Sequence, residues 1–283
     1  MNLSIVIPSH NRTDLLRLCL ETVVEFAPER TQVIVVDDGS PEACVSRTAA
    51  KFAGVEIVRN PRPLGFAKAA NRGIASATGD VIELLNDDTQ VTANWAQAAL
   101  KWFTDPTIAA VAPLVLQGPS SDTVPIIDSA GDDYDLGGFA TKRGHGKRRS
   151  AAFAEPREVF GASASSAFYR ADVLRSVGCF PEEFGAYFED VDLAWRIRNA
   201  GFRAMYEPAS VVWHRIGSSY RKSRALIERQ SQNEERVFWR NVPNIWPLLP
   251  RHAAVLAAKA VRRIREGTIV PWTIGRLRAW SKR

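Results

Sequence analysis

The sequence predicts an α/β fold, with a mostly parallel central sheet flanked by helices and a helical C-terminal extension. Short, continuously apolar runs rich in β-branched residues recur through the first 116 residues, and such runs are typical of strands buried on both faces. Stretches with apolar residues at helical spacing lie between them, which indicates βαβ units and a parallel sheet. The last part of the chain combines helical patterns with an excess of basic residues.

Strands and helices alternate up to residue 116. The expected strands are 3–8, 32–36, 55–58, 81–85 and 108–116. The expected helices begin near Leu15 and then cover 42–52, 65–77 and 94–103. Residues 117–158 carry little apolar pattern, so we expect an irregular loop there. Long loops inside compact domains are usually functional.

The elements after this loop are shorter. A strand over 164–170 and a helix over 171–177 are followed by Asp190-Val191-Asp192, which is expected to begin another helix. Asp192 and Arg196 lie four residues apart on that helix and should form an ion pair across one turn. Asp190, just before the helix, is then available as a general base. Two short extended segments, 203–206 and 211–213, lead into His214.

The composition is that of a globular protein. The 283 residues are 46% hydrophobic and 24% charged, which excludes collagen-like, coiled-coil and disordered classes. Three cysteines without Cys-x-x-Cys spacing suit a reducing compartment. The first residues lack the pattern of a signal peptide, and no run of 18 apolar residues predicts a membrane span. We therefore expect a cytoplasmic protein.

Polar clusters follow three of the first four expected strands. They are Ser9-His10-Asn11, Asp37-Asp38 and Asn86-Asp87-Asp88. In open α/β sheets, ligands bind beyond the carboxyl ends of the strands. No Gly-x-Gly-x-x-Gly follows the first strand, which argues against a dinucleotide-dependent oxidoreductase. Carboxylates at a strand end suit Mg²⁺ or Mn²⁺ together with phosphate oxygens, and the imidazole of His214 is a competent Mn²⁺ ligand.

Six motifs in order give the chain a family resemblance. They are SIVIPSHNR, VIVVDDGS, GFAKAANRG, GDVIELLNDD, FGAYFEDVDLAWRIRNAG and VVWHRIGSS. Over residues 3–219 the chain resembles family 2 glycosyltransferases with the GT-A fold, most closely the bacterial rhamnosyltransferase and galactofuranosyltransferase-like members. The resemblance implies a catalytic domain over 1–219 and an extension over 220–283.

The resemblance also implies roles for individual residues. Asp38 would hydrogen-bond the base of a nucleoside-diphosphate sugar, and Asp190 would be the catalytic base of an inverting transfer. Asp88 and His214 would hold Mn²⁺ or Mg²⁺ on the diphosphate. The remaining donor-binding residues implied are Pro8, Ser9, Asn11, Arg12, Asn71 and Asp87. The segment from Asp128 through Gly146 also resembles a stretch near the donor sugar in these enzymes.

One departure from the family pattern keeps an alternative open. Asn86 stands where many members have aspartate, which weakens the metal motif and leaves a nucleotide- or glycan-binding pseudoenzyme as the alternative. A sugar nucleotidyltransferase would need a Gly-rich, basic loop after the first strand, and SHNRTD is not such a loop. The expected enzyme uses a dTDP- or UDP-sugar donor and a glycan or lipid-linked acceptor in cell-surface polysaccharide synthesis.

The C-terminal extension is strongly basic. Residues 217–283 hold 15 Lys and Arg against four Asp and Glu, and four of the eight tryptophans. Apolar residues alternate with basic ones from Arg251 onward, which is typical of helices that lie on anionic membranes. A helix packed on the catalytic body is the alternative. Nucleic-acid binding is disfavoured, because zinc-ligand spacing and RNA-binding aromatic patterns are missing from the sequence. A peripheral position on the inner membrane face is therefore expected.

Overall fold

The computed structural model describes residues 1–119, 124–215 and 223–280. The strands in these ranges are β1 Leu3–Ser9, β2 Gln32–Asp37, β3 Val55–Arg59, β4 Val81–Leu85, β5 Thr89–Val91, β6 Ile108–Gln117, β7 Ile127–Ser129, β8 Asp132–Asp135, β9 Phe139–Lys142, β10 Arg157–Val159, β11 Ser166–Arg170 and β12 Arg203–His214. The α-helices are α1 Thr13–Phe26, α2 Cys44–Ala49, α3 Phe66–Ser76, α4 Trp95–Leu100, α5 Ala171–Ser176, α6 Glu189–Asn199, α7 Arg224–Asn241, α8 Leu249–Arg265 and α9 Ile269–Trp280. Short 3-10 turns connect several of them.

One curled sheet of ten strands organises the molecule. Its order is β10-β12-β6-β11-β4-β1-β2-β3, with β5 beside β12 and β7 beside β6. The strands β3, β2, β1 and β4 are parallel, and Ile5 of β1 lies between Val33 and Glu83. β12 is parallel to β6, whereas β11 runs antiparallel between β4 and β6. The predicted α/β fold with a central sheet and flanking helices is confirmed.

Both faces of the sheet are covered, as the continuously apolar strands predict. Every residue of β1 is buried, with Val6 on the face that carries α3 and Ile5 on the face that carries α1. Gly73 lets α3 approach closely, because a Cβ there would collide with the side chains of Val6 and Val36. This tight packing fixes the strand ends that border the site.

The expected elements up to residue 116 are present, with helix boundaries a few residues shorter. The expectation of an irregular loop over 117–158 is wrong in part, since this segment contains β7, β8 and β9 and ends with β10. These strands have only three or four residues each, and β8 (Asp-Asp-Tyr-Asp) lacks an apolar face. Their pairing depends on neighbours that the local sequence does not reveal.

The C-terminal helices pack against the body and against each other. α9 crosses α7 so closely that a Cβ on Gly275 would collide with the carbonyl oxygen of Glu228. Buried ion pairs join the helices, since Arg276 of α9 contacts both Glu234 and Glu235 of α7. The expected boundary at 219 and 220 and the end of the VVWHRIGSS motif lie outside the described residues. Among the helices that the structure describes, none combines the length and apolar character needed to cross a membrane.

Candidate active site

The carboxyl ends of β1, β2 and β4 meet at one edge of the sheet, because these strands run in parallel. The edge borders a cavity of about 1120 Å³. Eight of the ten predicted site residues line it: Pro8, Ser9, Arg12, Asp38, Asp87, Asp88, Asp190 and His214. Residues from distant parts of the chain are thus gathered around one space.

The other two predicted residues are engaged beside the cavity. Asn71 of α3 pairs with the backbone of Phe180, donating from Nδ2 to its oxygen at 2.8 Å and accepting from its nitrogen at 3.0 Å. Asn11 is exposed and left-handed, with φ 53°. Its backbone nitrogen donates to Ser40 Oγ at 3.0 Å. Both asparagines therefore support the loops around the cavity in this structure.

Asp38 is buried at the end of β2, where its carboxylate organises the neighbouring loop. Oδ1 accepts from Asn60 Nδ2 and from the backbone nitrogen of Leu64, both at 2.8 Å, and Oδ2 accepts from the nitrogen of Gly65 at 2.9 Å. Gly65 has φ 90° and leads directly into α3. The carboxylate therefore ties β2 to the helix that packs behind the cavity.

Arg12 bridges the two carboxylates that follow β4. Its Nη1 lies 2.9 Å from Asp87 Oδ1, and its Nη2 lies 2.6 Å from Asp88 Oδ2. Burial raises the pKa of Asp87 to about 6 even though Arg12 opposes the shift. Arg12, expected near the donor phosphates, thus neutralises the acidic pair at the centre of the cavity.

His214, the last residue of β12, lies between two carboxylates. Its Nδ1 is 2.9 Å from Asp128 Oδ2, and its Nε2 is 3.2 Å from Asp88 Oδ1. Burial would lower the pKa of His214, but the hydrogen bonds to Asp128 and Asp88 outweigh it and raise the pKa to about 9. The side chain is therefore fixed at both ring nitrogens.

Asp88 and His214 fit a hard divalent cation whose other ligands would come from a bound diphosphate. Within residues 1–119, 124–215 and 223–280, no group of three His, Cys, Asp or Glu side chains is spaced to hold a metal alone. Asp88 Oδ1 and His214 Nε2, however, are 3.2 Å apart. Adjacent ligands on a cation with bonds near 2.1 Å lie about 3 Å apart. Carboxylate and imidazole are both suitable ligands for Mn²⁺.

Asp190 lies in the first turn of α6, which begins one residue earlier than the sequence pattern indicated. A carboxylate is favoured there by the unpaired backbone N–H groups and the helix dipole. Its Oδ2 accepts from the nitrogen of Ala164 at 3.0 Å, and its Oδ1 accepts from the nitrogen of Val191 at 2.9 Å. The expected Asp192–Arg196 ion pair is confirmed at 2.7 Å. Asp190 is thus held by backbone donors and faces the cavity.

The segment expected to be irregular supplies four titratable side chains to the cavity wall. They are Asp128, Asp132, Lys142 and His145. Lys142 Nζ lies 3.2 Å from Asp128 Oδ2, and burial together with the nearby charge of Asp190 raises the pKa of Asp132 to about 8. The resemblance of residues 128–146 to a donor-site stretch is a sequence signal that points to these residues.

The β8–β9 hairpin is connected to α8 of the C-terminal extension. His252 Nδ1 lies 2.7 Å from the carbonyl oxygen of Gly137, and Arg251 pairs with Asp135. Lys259 lies 4.1 Å from the ring centre of Phe139. Since the same hairpin carries Asp132 and Lys142, the extension contacts the element that forms one wall of the cavity.

Comparison with known proteins places this geometry in a family. The sequence model described as Glycosyl transferase family 2 matches residues 4–178. The pre-mycofactocin glycosyltransferase of Mycobacterium tuberculosis is 31% identical over 218 residues, which are 75% of this chain and 42% of that protein. The N-acetylglucosaminyl-diphospho-decaprenol L-rhamnosyltransferase of the same organism is 26% identical over 272 residues, 86% and 89% of the two chains. This chain spans less than half the length of the first of these relatives.

Solved structures share the fold at low sequence identity. GalNAc-T7, determined with UDP, GalNAc and Mn²⁺, has a TM-score of 0.66 at 17% identity and covers 84% of this chain and 47% of its own. The mannosyltransferase PcManGT from Pyrobaculum calidifontis, in complex with GDP-Man and Mn²⁺, has a TM-score of 0.63 at 19% identity and covers 99% and 88%. The chain therefore has the GT-A fold that the motifs predict.

Proposed function

The chain belongs to glycosyl transferase family 2, and from this membership we propose that it transfers a sugar from a nucleoside-diphosphate sugar to a hydroxyl acceptor with inversion at the anomeric carbon. The observation that carries the proposal is the single cavity shared by Asp38, the Asp87–Asp88 pair, His214 and Asp190. A base-binding carboxylate, a cation site and a general base are the groups that such a reaction requires.

The proposed donor is a UDP-sugar or dTDP-rhamnose. Pro8, Ser9 and Asp38 would border the base and ribose, and Asp87 would lie beside the ribose or the sugar. Asn11 and Asn71 would support this region through the loops that they hold. Arg12, whose guanidinium already reaches Asp87 and Asp88, would lie near the diphosphate.

Asp190 would act as the general base. The two backbone N–H groups that it accepts orient its carboxylate, while the remaining lone pairs face the cavity. Asp190 takes the proton of the acceptor hydroxyl as that oxygen forms its bond to C1 of the sugar. The bond between C1 and the diphosphate oxygen breaks, and the electron pair leaves with the nucleoside diphosphate. Such base assistance typically contributes about 10²–10⁴-fold to the rate.

Asp88 and His214 would hold Mn²⁺ or Mg²⁺. When bound, the cation neutralises the charge that develops on the departing diphosphate. Arg12 would contribute positive charge from the other side of the acidic pair.

The proposed acceptor is a glycan or a lipid-linked sugar in cell-surface polysaccharide synthesis. The rhamnosyltransferase relative, aligned over 89% of its length, is named for a diphospho-decaprenol-linked acceptor. This similarity favours a lipid-linked acceptor over a soluble one.

The experiment that tests the function has two parts. Melting temperatures are measured with UDP, dTDP and GDP, each with Mn²⁺ or with EDTA, because a ligand that binds the native state raises the melting temperature. Release of nucleoside diphosphate is then followed with the matching sugar donors and lipid-diphosphate acceptors. We expect cation-dependent stabilisation by UDP or dTDP and turnover with one of their sugars. Stabilisation without turnover of any donor would favour the pseudoenzyme.

We also propose that the protein works at the cytoplasmic face of a membrane, docked on anionic lipid through α8. Exposed small and apolar side chains cover the outward face of this helix: Ala253, Ala254, Ala257, Ala258, Val261 and Ile264. The basic residues Arg251, Arg262 and Arg265 are exposed on the same helix. Apolar faces bordered by arginine favour the interface of anionic bilayers.

Flotation with phosphatidylglycerol-containing liposomes tests the membrane surface. We expect Val261→Glu with Ile264→Glu to reduce binding strongly, because both residues are exposed and their replacement leaves the core unchanged. Val24→Glu, at a similarly exposed site on α1, is the control. Equal flotation of all three proteins would contradict the proposed surface.

A further inference from the structure

The turn that leads into α6 has an unusual backbone. Gly185, Tyr187 and Phe188 have φ of 68°, 75° and 66°, so a left-handed conformation is imposed on two bulky residues. Such a backbone persists only where neighbouring contacts hold it, and it is common next to active sites. Phe188 immediately precedes Glu189 and Asp190, so this turn determines where the proposed base begins its helix.

Asn233 of α7 holds this turn from the side of the C-terminal extension. Its Nδ2 lies 2.9 Å from the carbonyl oxygen of Phe184, 3.2 Å from that of Ala186 and 2.9 Å from that of Tyr187. Because all three partners are acceptors, the amide nitrogen must face the turn. Asn233 is 1% exposed, so water does not replace these bonds.

Other contacts of α7 point to the same role. Asn241 donates from Nδ2 to Asp192 Oδ1 at 2.7 Å and so holds the first turn of α6, which also carries Asp190. Val237 and Phe238 share an apolar cluster with Phe184. Gln230, three residues before Asn233 and so on the same side of α7, lines the cavity itself. One face of α7 therefore borders the cavity and holds the segment that carries Asp190.

We propose that Asn233 is a positioning residue for Asp190, which makes α7 part of the catalytic centre. This inference rests on the proposed function, because it assigns Asp190 the role of base. Without the amide donors, the carbonyl groups of 184, 186 and 187 each lose a buried hydrogen bond, although that of Phe184 keeps the bond from the backbone nitrogen of Ala186. The left-handed turn then relaxes. The carboxylate of Asp190 would move with the start of α6. A displacement of about 1 Å costs on the order of 10²-fold in rate.

The test compares Asn233→Ala and Asn233→Leu with Gln232→Ala. Leucine removes the amide donors of Asn233 while nearly keeping the side-chain volume. The leucine variant therefore provides the test if the alanine variant folds poorly. Gln232→Ala removes an amide from the same helix, one residue and about 100° away. We expect the Asn233 variants to lower kcat by roughly 10- to 100-fold, with the donor KM and cation-dependent nucleotide binding close to those of the wild type. Gln232→Ala should keep kcat.

Hydrogen exchange of the folded proteins supplies a readout that needs no turnover. Amides of 184–190 should exchange faster in both Asn233 variants than in the wild type, whereas those of β1 should not change. Wild-type kcat together with wild-type exchange in Asn233→Leu would overturn the positioning role. An equal loss of sugar-donor binding and kcat would also overturn the positioning role, because the substitution would then have damaged the whole cavity and not only the position of Asp190. A wild-type protein that turns over no donor would refute the proposed function, while the exchange result still decides whether Asn233 holds the turn.

Discussion

His214 and Asp128 form a hydrogen bond of 2.9 Å between Nδ1 and Oδ2, although 86 residues separate them in the chain. The bond directs the opposite ring nitrogen, Nε2, toward Asp88. A carboxylate that orients a metal-binding histidine commonly changes metal affinity by about 10- to 100-fold. The short strand β7 thus brings a supporting group to the proposed cation site.

Asp128→Ala should weaken Mn²⁺ binding by about 10- to 100-fold, because His214 loses the partner that fixes its ring. The measurement is a titration of free Mn²⁺ by electron paramagnetic resonance in the presence of UDP or dTDP. Asp133→Ala is the control, since this exposed carboxylate lies in the same segment. Unchanged Mn²⁺ affinity in Asp128→Ala would show that His214 needs no such support.

Asp190→Asn should abolish transfer and leave nucleotide binding intact, because the amide keeps the side-chain shape but cannot take a proton. The loss expected from removing a general base is about 10²–10⁴-fold. Initial rates of diphosphate release and the melting-temperature shift with nucleotide provide the two readings. Glu182→Gln, an exposed carboxyl in the preceding turn, should behave as the wild type. Wild-type turnover in Asp190→Asn would show that Asp190 is not the general base.

Glu83 makes the stability of the fold depend on pH. It is fully buried in β4, where Trp95 Nε1 donates to both carboxyl oxygens at 3.1 and 3.2 Å. Burial raises its pKa from 4.5 to about 8 against the effect of these hydrogen bonds. The folded protein therefore keeps a proton that the unfolded chain releases, so the free energy of unfolding decreases as pH rises from about 4.5 to about 8.

Glu83→Gln should remove this contribution, which amounts to at most about 1.4 kcal/mol per pH unit. Urea unfolding at pH 6, 7 and 8 measures it. Relative to the wild type, the variant should gain stability with rising pH, whereas Glu29→Gln at an exposed site should follow the wild type. A pH slope in Glu83→Gln equal to that of the wild type would mean that Glu83 is ionised in the fold.

Gly275→Ala should destabilise the protein by roughly 1–3 kcal/mol, because overpacked contacts must shift to admit the new methyl group. The methyl would meet the carbonyl oxygen of Glu228 on α7, which cannot rotate away. Thermal unfolding measures the effect, and Thr273→Ala on the exposed side of α9 is the control. A melting temperature equal to that of the control would show that α9 does not sit this close to α7.

Much of the fold and the floor of the cavity could be predicted from the sequence. β1, β2 and β4 are recognisable because their burial on both faces requires unbroken apolar runs, and the polar residues after them then fall at one edge. The eight predicted residues around the cavity follow from this rule and from the family motifs. The apolar pattern of a buried strand lies within the strand itself, so the local sequence reveals it.

The rest depends on contacts between distant segments. β8 is recognisable only from its partners, since Asp-Asp-Tyr-Asp carries no strand-like apolar alternation. The ion pairs of Arg12 with Asp87 and Asp88 are not predictable from local sequence, because these two buried carboxylates lie about 75 residues further along the chain. Asn233 lies in a helix with ordinary polar patterning, and its three carbonyl partners lie 46, 47 and 49 residues away in the chain. Such side chains carry no signal until the chain is folded.

If Asp38 binds the base as proposed, its hydrogen bonds have a consequence for which base it accepts. A carboxylate offers about four acceptor positions, and three of those on Asp38 are taken by Asn60, Leu64 and Gly65 of the described chain. One further donor can be received. Uracil and thymine each present a single imide N–H donor. Guanine presents two adjacent donors, at N1 and N2, which together need two acceptor positions on the carboxylate. The one acceptor position left on Asp38 would therefore favour UDP- or dTDP-sugars over GDP-sugars. No steric exclusion of the larger guanine ring would be needed.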